Sequence, residues 1–543
     1  MVTVNSGTFD LNDQAETVGG LAGTGGTVAL GAGTLTVNGA NITTYAGTIT
    51  GSGGLVLGGT GDLTLTGANT YGSTGGTTIN GGALSVNADS NLGASTGPLM
   101  FAGGALQALG GFTATRPVTL NAGGGTIDTG AFSVTLSSPL NGAGGLTKIG
   151  TGSLILPGAN GYTGATAVNG GNLLVSGSLA AASAVTVAVG ATLSGPGTVG
   201  NTTVAGTLAP GNGVGILNTG SLLFNSTGTL AIQMMGPTAG SNYSEAIAAG
   251  PVNITGATLS LAVANGFTPT VGSQFDILVN NSGSAIVGTF NNLPEGAMVS
   301  SNGQFFTISY VGSSGGGPGN DIVLTAIAPP TPPTVANVVV GDGTAQRSEV
   351  RSITVTFSTA VTFAGGNANA AAAFQLQHVQ DSTNISNLAA AVSTNGSGQT
   401  VVTLTFTTTG NAASEIDPVS VSGTFNTVPG PSLADGRFQL TILSGSVSGA
   451  GNQPLAGGGP SGNYVSPPDT QGGGPGQLRL FRNFGDATGD GIIDQLDLGQ
   501  FRAANNSSSP DPAYVAFLDA DNSGTIDQID LGQFRGRNNS SVF

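Results

Sequence analysis

The 543-residue chain has no cysteine and no tryptophan, a single histidine (His378) and a single lysine (Lys148). Lack of cysteine excludes disulfide staples and thiolate metal sites. Charged residues make up 7% of the chain, and the formal net charge is −16. With no basic patch to release counterions, binding to a nucleic-acid backbone is excluded, as is docking on anionic lipid. No apolar run approaches the roughly 20 residues of a membrane helix, so no membrane insertion is expected. The opening "MVTVNSGTFDLN" has neither the basic nor the apolar region of a signal peptide.

Glycine is abundant, with 96 residues, but it follows no G-X-Y period, so a collagen helix is excluded. The apolar residues come in short alternating bursts such as "LTLT" and "VTVAV", the signature of half-buried strands. A Gly-x-(Leu/Ile)-x-x unit recurs, as in "GTLTV" (33–37), "GDLTL" (61–65), "GALSV" (82–86), "GSLIL" (152–156) and "GNLLV" (171–175), mostly near every 20 residues. Short strands with glycine turns at that period predict a β-solenoid, one coil per period and roughly ten to twelve coils. Leu63 and Leu65 should point inward, with Gly and Asn at corners that need left-handed backbone. A longer similarity overlays the short one: "GGLVLGGTGDLTLTGANTY" (53–71) matches "GGLTKIGTGSLILPGANGY" (144–162), and "TTINGGALSV" (77–86) matches "TAVNGGNLLV" (166–175).

The Gly-Leu-Thr-Lys, Gly-Thr-Gly-x-Leu and Gly-Ala-Asn-x-Tyr marks within 144–175 resemble the autotransporter-associated β-strand repeat. The copy at 53–86 lacks the lysine. Segments 206–224, 287–299 and 319–325 resemble the end of such passenger regions. The resemblance implies a right-handed parallel β-solenoid over residues 1–220, an end or cap region over 221–327, and display outside the cell. It is informative about fold and weak about activity. Because "VTVNSGTFDLN" resembles the middle of a repeat, the chain is expected to be an N-terminally incomplete version of a longer secreted protein.

A proline-rich linker at 328–334 ("APPTPPT") should be extended. Strand signals then recur at 335–340, 351–358, 374–379, 400–407, 419–425 and 436–443, predicting a β-sandwich over 335–456. Alternation puts Ile353, Val355 and Phe357 on one face. "Immunoglobulin-like" describes the architecture only, since cysteine and tryptophan are missing. A Gly/Pro-rich linker at 457–477 precedes the last segment, 478–543.

That segment gathers the acids. Residues 486–497 read D-A-T-G-D-G-I-I-D-Q-L-D, and 519–530 read D-A-D-N-S-G-T-I-D-Q-I-D. Calcium prefers six to eight oxygens, which a twelve-residue loop can offer at positions 1, 3, 5, 7, 9 and 12 with glycine at 6. The first loop supplies Asp486, Thr488, Asp490, the Ile492 carbonyl, Asp494 and Asp497. The second supplies Asp519, Asp521, Ser523, the Thr525 carbonyl, Asp527 and Asp530. Two Ca2+ sites are therefore expected, the first weaker because Thr488 is neutral. Ile493 and Ile526, at position 8, are expected to bridge the two loops.

Aspartate at position 12, one helix after each loop, and near-duplicates "GIIDQLDLGQFR" and "GTIDQIDLGQFR" resemble a dockerin. The resemblance implies a cohesin-like or other surface-protein partner. It would meet Gln495, Leu496, Gln528, Ile529 and the following helices, including Arg502 and Arg535.

Elsewhere chemistry is sparse. A polysaccharide lyase needs cationic groups, and the solenoid offers Arg116 and Lys148, the latter expected at a strand-edge surface. A glycosidase needs two facing carboxylates. Asp62 reads as a solvated position, and Asp89 and Asp128 are isolated. His378 lacks a Ser or Asp companion and shares a strand face with Phe374 and Leu376. The glycine-rich runs lack the Lys-Ser/Thr of a phosphate loop. The expectation is a mainly β, non-enzymatic, extracellular surface or adhesin-like protein with a calcium-dependent docking module. A polysaccharide is a second candidate ligand. The alternative is a scaffold-recruited carbohydrate-active enzyme, hydrolase or lyase, acting on the solenoid.

Overall fold

The computed structural model describes residues 1–313, 319–407, 409–411, 416–417, 424–425, 428–429, 431–467, 478–521 and 523–543. The chain forms two compact units, Met1–Pro329 and Pro330–Phe543, divided within the proline-rich stretch.

The first unit is a parallel β-solenoid. Its longest sheet stacks eleven strands, from Thr43–Tyr45 to Val252–Asn253, in line with the coil count expected from the repeat. A second sheet runs from Glu16–Val18 to Leu140–Asn141 and a third from Phe112–Ala114 to Thr258–Val263. Neighbours pair in parallel and in register, as with Leu63↔Leu84 and Leu65↔Val86. Leu63, Leu65, Leu84 and Val86 are all fully buried. Each inward leucine is covered by the coils above and below, which stabilises it by roughly 1.5–3 kcal/mol relative to exposure.

The two long repeat copies do not sit on the same faces. In the first, Leu55–Leu57 and Thr77–Ile79 lie in the second sheet, and Leu63–Leu65 and Ala83–Val86 in the eleven-stranded one. In the second copy, Leu146–Ile149 and Thr166–Val168 lie in the eleven-stranded sheet, and Ser153–Leu156 and Asn172–Val175 in the third. The motif has advanced by one face between copies. It specifies a strand–corner–strand unit rather than a fixed side of the solenoid.

The motif's polar residues explain themselves. Asn69 accepts from the Ile49 amide at 2.8 Å and donates to the Asn91 carbonyl at 2.7 Å. Asn160 accepts from the Leu140 amide at 3.0 Å and donates to the Ser178 carbonyl at 3.0 Å. Both are buried coil-to-coil connectors rather than left-handed residues; among the unit's asparagines Asn12, Asn292 and Asn302 take left-handed backbone, at φ of 49°, 58° and 49°. Within the two copies corner duty falls to glycine: Gly82 and Gly171 have φ of 58° and 60°, and a Cβ on either would strike a carbonyl of the preceding coil. Tyr71 and Tyr162 bond Thr77 and Thr166, each at 2.7 Å. Burial pushes both phenols up to about 12.

The solenoid ends in a change of direction. Ile216–Thr219 and Glu245–Ala248 continue the parallel stacking, and Gln274–Asn280 then pairs antiparallel with Asp321–Ile327. Gln304–Gly312 and Met298–Ser301 complete an antiparallel cap. Such a cap occupies an edge that open coils would leave as a pairing template.

The second unit opens with two antiparallel sheets. One is ordered Val335–Val340, Ser352–Phe357, Thr400–Phe406, Leu388–Thr394. The other joins Phe374–His378, Gly436–Ile442 and Tyr464–Val465, with Phe481–Arg482 also on the central strand. Ile353, Val355, Phe357, Val402 and Leu404 share one core with Leu376, Leu440 and Ile442. The strand at Leu388–Thr394 was not expected, since "LAAAVST" is alanine-rich and half exposed. Most of the strand expected at 419–425 lies outside the described residues. The linker expected at 457–477 is shorter than its composition implies, because Tyr464–Val465 pairs with Thr441–Ile442; residues 468–477 lie outside the described residues.

Candidate metal-binding loops

The C-terminal segment builds two copies of one unit. Helix α1 spans Gln495–Ala504 and helix α2 spans Gln528–Arg537. Each starts where an aspartate caps it: Asp494 accepts from the Leu496 amide and Asp527 from the Ile529 amide, both at 2.7 Å. Asp497 and Asp530, three residues further on, accept from the amides of Asp494 and Asp527 at 3.0 and 2.8 Å, closing a capping box. Phe501 and Phe534 pack ring to ring at 5.0 Å in a core with Ile493 and Ile526.

The position-8 isoleucines share that core, but their backbones do not bridge each other. The Ile493 amide donates to the Ser540 carbonyl, and its own carbonyl accepts from the Asn539 amide at 2.7 Å. Ile526 makes the same pair of bonds with Ser507 and Asn506. Each loop is thus stitched to the segment that follows the other helix. Asn506 and Asn539 both adopt φ of 63°, a conformation asparagine tolerates. The duplicated "NNSS" at 505–508 and 538–541 was the readable signal for this exchange.

The acids are far from a solvated tail. Asp486, Asp497, Asp519 and Asp530 are fully buried. Asp497 accepts from the Ala487 and Thr488 amides at 3.0 Å, and Asp486 from the Gly491 amide at 2.9 Å. Asp519 accepts from the Ser523 and Gly524 amides at 3.0 and 2.8 Å and from the Tyr514 hydroxyl at 2.7 Å. Asp530 accepts from the Ala520 amide at 2.6 Å. None of the four is ion-paired to a basic side chain among the described residues. Burial raises Asp486 to about 6, with Asp497 and Asp490 adding to the shift and backbone amides opposing it. Burial likewise raises Asp519 and Asp530.

In the second loop, oxygens of Asp519, Asp521 and Asp530 lie within 4.8 Å of one another. In the first loop Asp497 and Asp490 lie near enough to raise the Asp486 carboxyl, but the three form no comparable group among the described residues, and Asp490 is engaged by the Ile492 amide at 2.9 Å. Thr488 turns its hydroxyl toward Asp486 at 3.3 Å. In the second loop the Ser523 hydroxyl donates to the Thr525 carbonyl at 3.0 Å. This donor set is all oxygen and mostly anionic, which suits a hard divalent cation and not zinc or copper.

The residues expected to meet a partner fall on two sides. Leu496 and Ile529 are 67% and 58% exposed, a conspicuous exposure for two apolar side chains. Arg502 and Arg535 instead line a groove of about 280 Å3 between the helices, with Leu498, Phe501, Leu531 and Phe534. Gln495 and Gln528 are exposed at the helix starts.

The solenoid's candidate catalytic groups are accounted for structurally. Lys148 is fully buried rather than at a surface edge. Its ammonium donates to the carbonyls of Ile149, Gly150 and Gly170 at 2.9–3.0 Å. Arg116, also buried, pairs with Asp89 at 2.8 Å. Asp62 accepts from the Ala83 amide at 2.9 Å, and Asp128 accepts from Gln107 at 3.0 Å. His378 does have an acidic companion: Nδ1 lies 2.8 Å from Asp381. Its ring packs on Phe438 at 5.1 Å, and its Nε2, buried and with no hydrogen-bond partner among the described residues, lies so close to Gly436 that a Cβ there would collide with it.

The passenger-associated-transport-repeat family matches residues 55–86 and 146–175. These are the stretches that carry the paired Gly-x-Leu strands and, at their corners, Asn69–Tyr71 and Asn160–Tyr162. No curated protein matches the chain. Among the described residues no helix is long and apolar enough to cross a membrane.

Proposed function

We propose that the chain is a non-enzymatic, passenger-like surface or matrix protein whose C-terminal module binds two calcium ions and docks in a calcium-dependent way. The solenoid acts as a spacer or adhesive rod, displayed outside the cell as its passenger-type repeats imply. The observation that carries the calcium reading is the set of four fully buried aspartates, none ion-paired to a basic side chain among the described residues. A buried, unpaired charge costs several kcal/mol, so it must be neutralised or must hold a cation. Two loops with the same oxygen pattern favour the cation. Ordered calcium loops would fix α1 and α2 and so present Leu496 and Ile529 to a cohesin-like or other surface protein. The hydrolase or lyase alternative gains no support from Arg116 and Lys148, which are both committed to internal contacts.

The test is calorimetric titration of the full chain with calcium after chelation. Two sites are expected, the Thr488-containing one weaker: each loop carries four aspartates, but among the described residues only the second gathers three carboxylate oxygens within 4.8 Å of one another. No binding heat, together with a circular dichroism spectrum unchanged by chelator, would overturn the reading.

A further inference from the structure

The chain enters the first loop as part of the neighbouring sheet. Phe481–Arg482 pairs with Arg437 and Gly436. Arg482, only 2% exposed, pairs with Asp417 at 2.8 Å and Asp435 at 3.2 Å and donates from Nε to the Ser348 carbonyl at 2.7 Å. Asp435 also takes Arg537, in the last turn of α2, at 2.6 Å. Burial alone would raise the Asp435 carboxyl, but the guanidiniums of Arg482 and Arg537 outweigh it and hold it low. One aspartate of the sheet unit therefore ties down the strand before the first loop and the end of the second helix.

Ser348, itself fully buried, makes a second tie. Its hydroxyl accepts from the Gly485 amide at 2.9 Å and donates to the Phe517 carbonyl at 2.5 Å. Gly485 lies one residue before the first loop and Phe517 two residues before the second. The Arg347 amide donates to the Asp486 carbonyl at 2.8 Å, so Asp486 faces its loop with its side chain and the sheets with its backbone. Gly489, at φ 75°, lies so close to the Ala345 carbonyl that a Cβ there would collide with it. Phe543 closes the assembly by packing on Phe481 at 5.2 Å, with Arg437 over its ring at 5.7 Å.

We propose that the two-sheet domain is the resident partner of the calcium module, and that calcium binding to the first loop is thermodynamically linked to seating of residues 344–348 and Asp435 against it. This rests on the calcium reading above. A loop whose backbone is already held by Ser348 and Arg347 loses less conformational freedom when it closes on a cation. By reciprocity, the cation must tighten the contact by the same factor. The direct backbone contacts fall on the first loop, so that site carries the coupling.

The test is hydrogen exchange of the full chain with calcium and with chelator, paired with calcium titration of the wild type, Asp435→Asn and Ser348→Ala. Neither substituted residue is a loop ligand. Chelation is expected to speed exchange across 344–350 about tenfold. Each variant is expected to weaken the first-loop site by about five- to tenfold and the second-loop site by less, since Ser348 also holds the Phe517 carbonyl and Asp435 also holds Arg537. Calcium binding with exchange at 344–350 unchanged by chelator would overturn the coupling alone, as would variants with wild-type affinity at both sites. Absence of calcium binding by the wild type would overturn the underlying reading and the coupling with it. Should a variant fail to fold, the wild-type exchange comparison still decides.

Discussion

Arg116 shows how a nearly charge-free solenoid uses a cation. Its guanidinium reaches the carbonyls of Asp89, Leu92, Gly93, Ala94 and Gly97 at 3.1–3.3 Å, besides the Asp89 carboxylate. It holds the Asp89–Leu92 turn and the loop after it, where the coil has no strand on its third face. Lys148 does the same for a corner carbonyl cluster. Nothing in the spacing of these residues signalled burial, because a lone cation in a polar repeat reads as surface until its carbonyl partners are placed. Glu245 is the anionic counterpart. It is 7% exposed, and burial, reinforced by Asp276 and Asp321, raises its carboxyl to about 7. The folded state therefore holds a proton that the unfolded chain, at an ordinary carboxyl value, has lost. Stability from this group is present below the unfolded value and is lost as pH rises through about 7. The unfolding midpoint of the solenoid unit should fall between about pH 5 and pH 8, and Glu245→Gln should flatten that slope. A slope unchanged by the substitution would assign the pH dependence to other groups.

At the level of elements, alternation was enough to place inward residues, and much of the strand pattern was legible for that reason. Leu154 is buried and Ile155, next to it, is half-exposed on the outer face. Leu154→Ala should cost about 2–5 kcal/mol in denaturant unfolding through the cavity it leaves. Ile155→Ala should cost less than about 1.5 kcal/mol; equal costs would contradict the inward–outward assignment. What periodicity could not supply was the face. A motif that fits any corner lets the second copy advance by one side with no mark in the sequence. The Leu388–Thr394 strand escaped notice because alanine gives neither strong β propensity nor clear alternation. In the C-terminal segment the duplicated acidic loops, each followed by one helix, were legible, but the cross-stitching of Ile493 and Ile526 was not drawn from them. The duplicated Asn-Asn-Ser-Ser that carries this exchange lies outside the twelve-residue pattern.

Across the whole molecule, composition and architecture agree. A solenoid needs stacking, small corners and few charges, and the first unit has these. The second unit concentrates the acids in two loops and surrounds them with contacts that sequence reading cannot anticipate. Ser348 and Gly485 are 137 positions apart, and Asp435 and Arg537 are 102 apart. Such pairings depend on how the sheets and helices meet, not on any local pattern. The central claim is that the buried aspartates exist to hold two cations. Native mass spectrometry of the full chain in calcium tests it most directly. The wild type should carry two calcium ions, Asp530→Asn one, and Asp497→Asn combined with Asp530→Asn none. A wild type with no bound calcium, or a double variant that keeps both ions, would contradict the account.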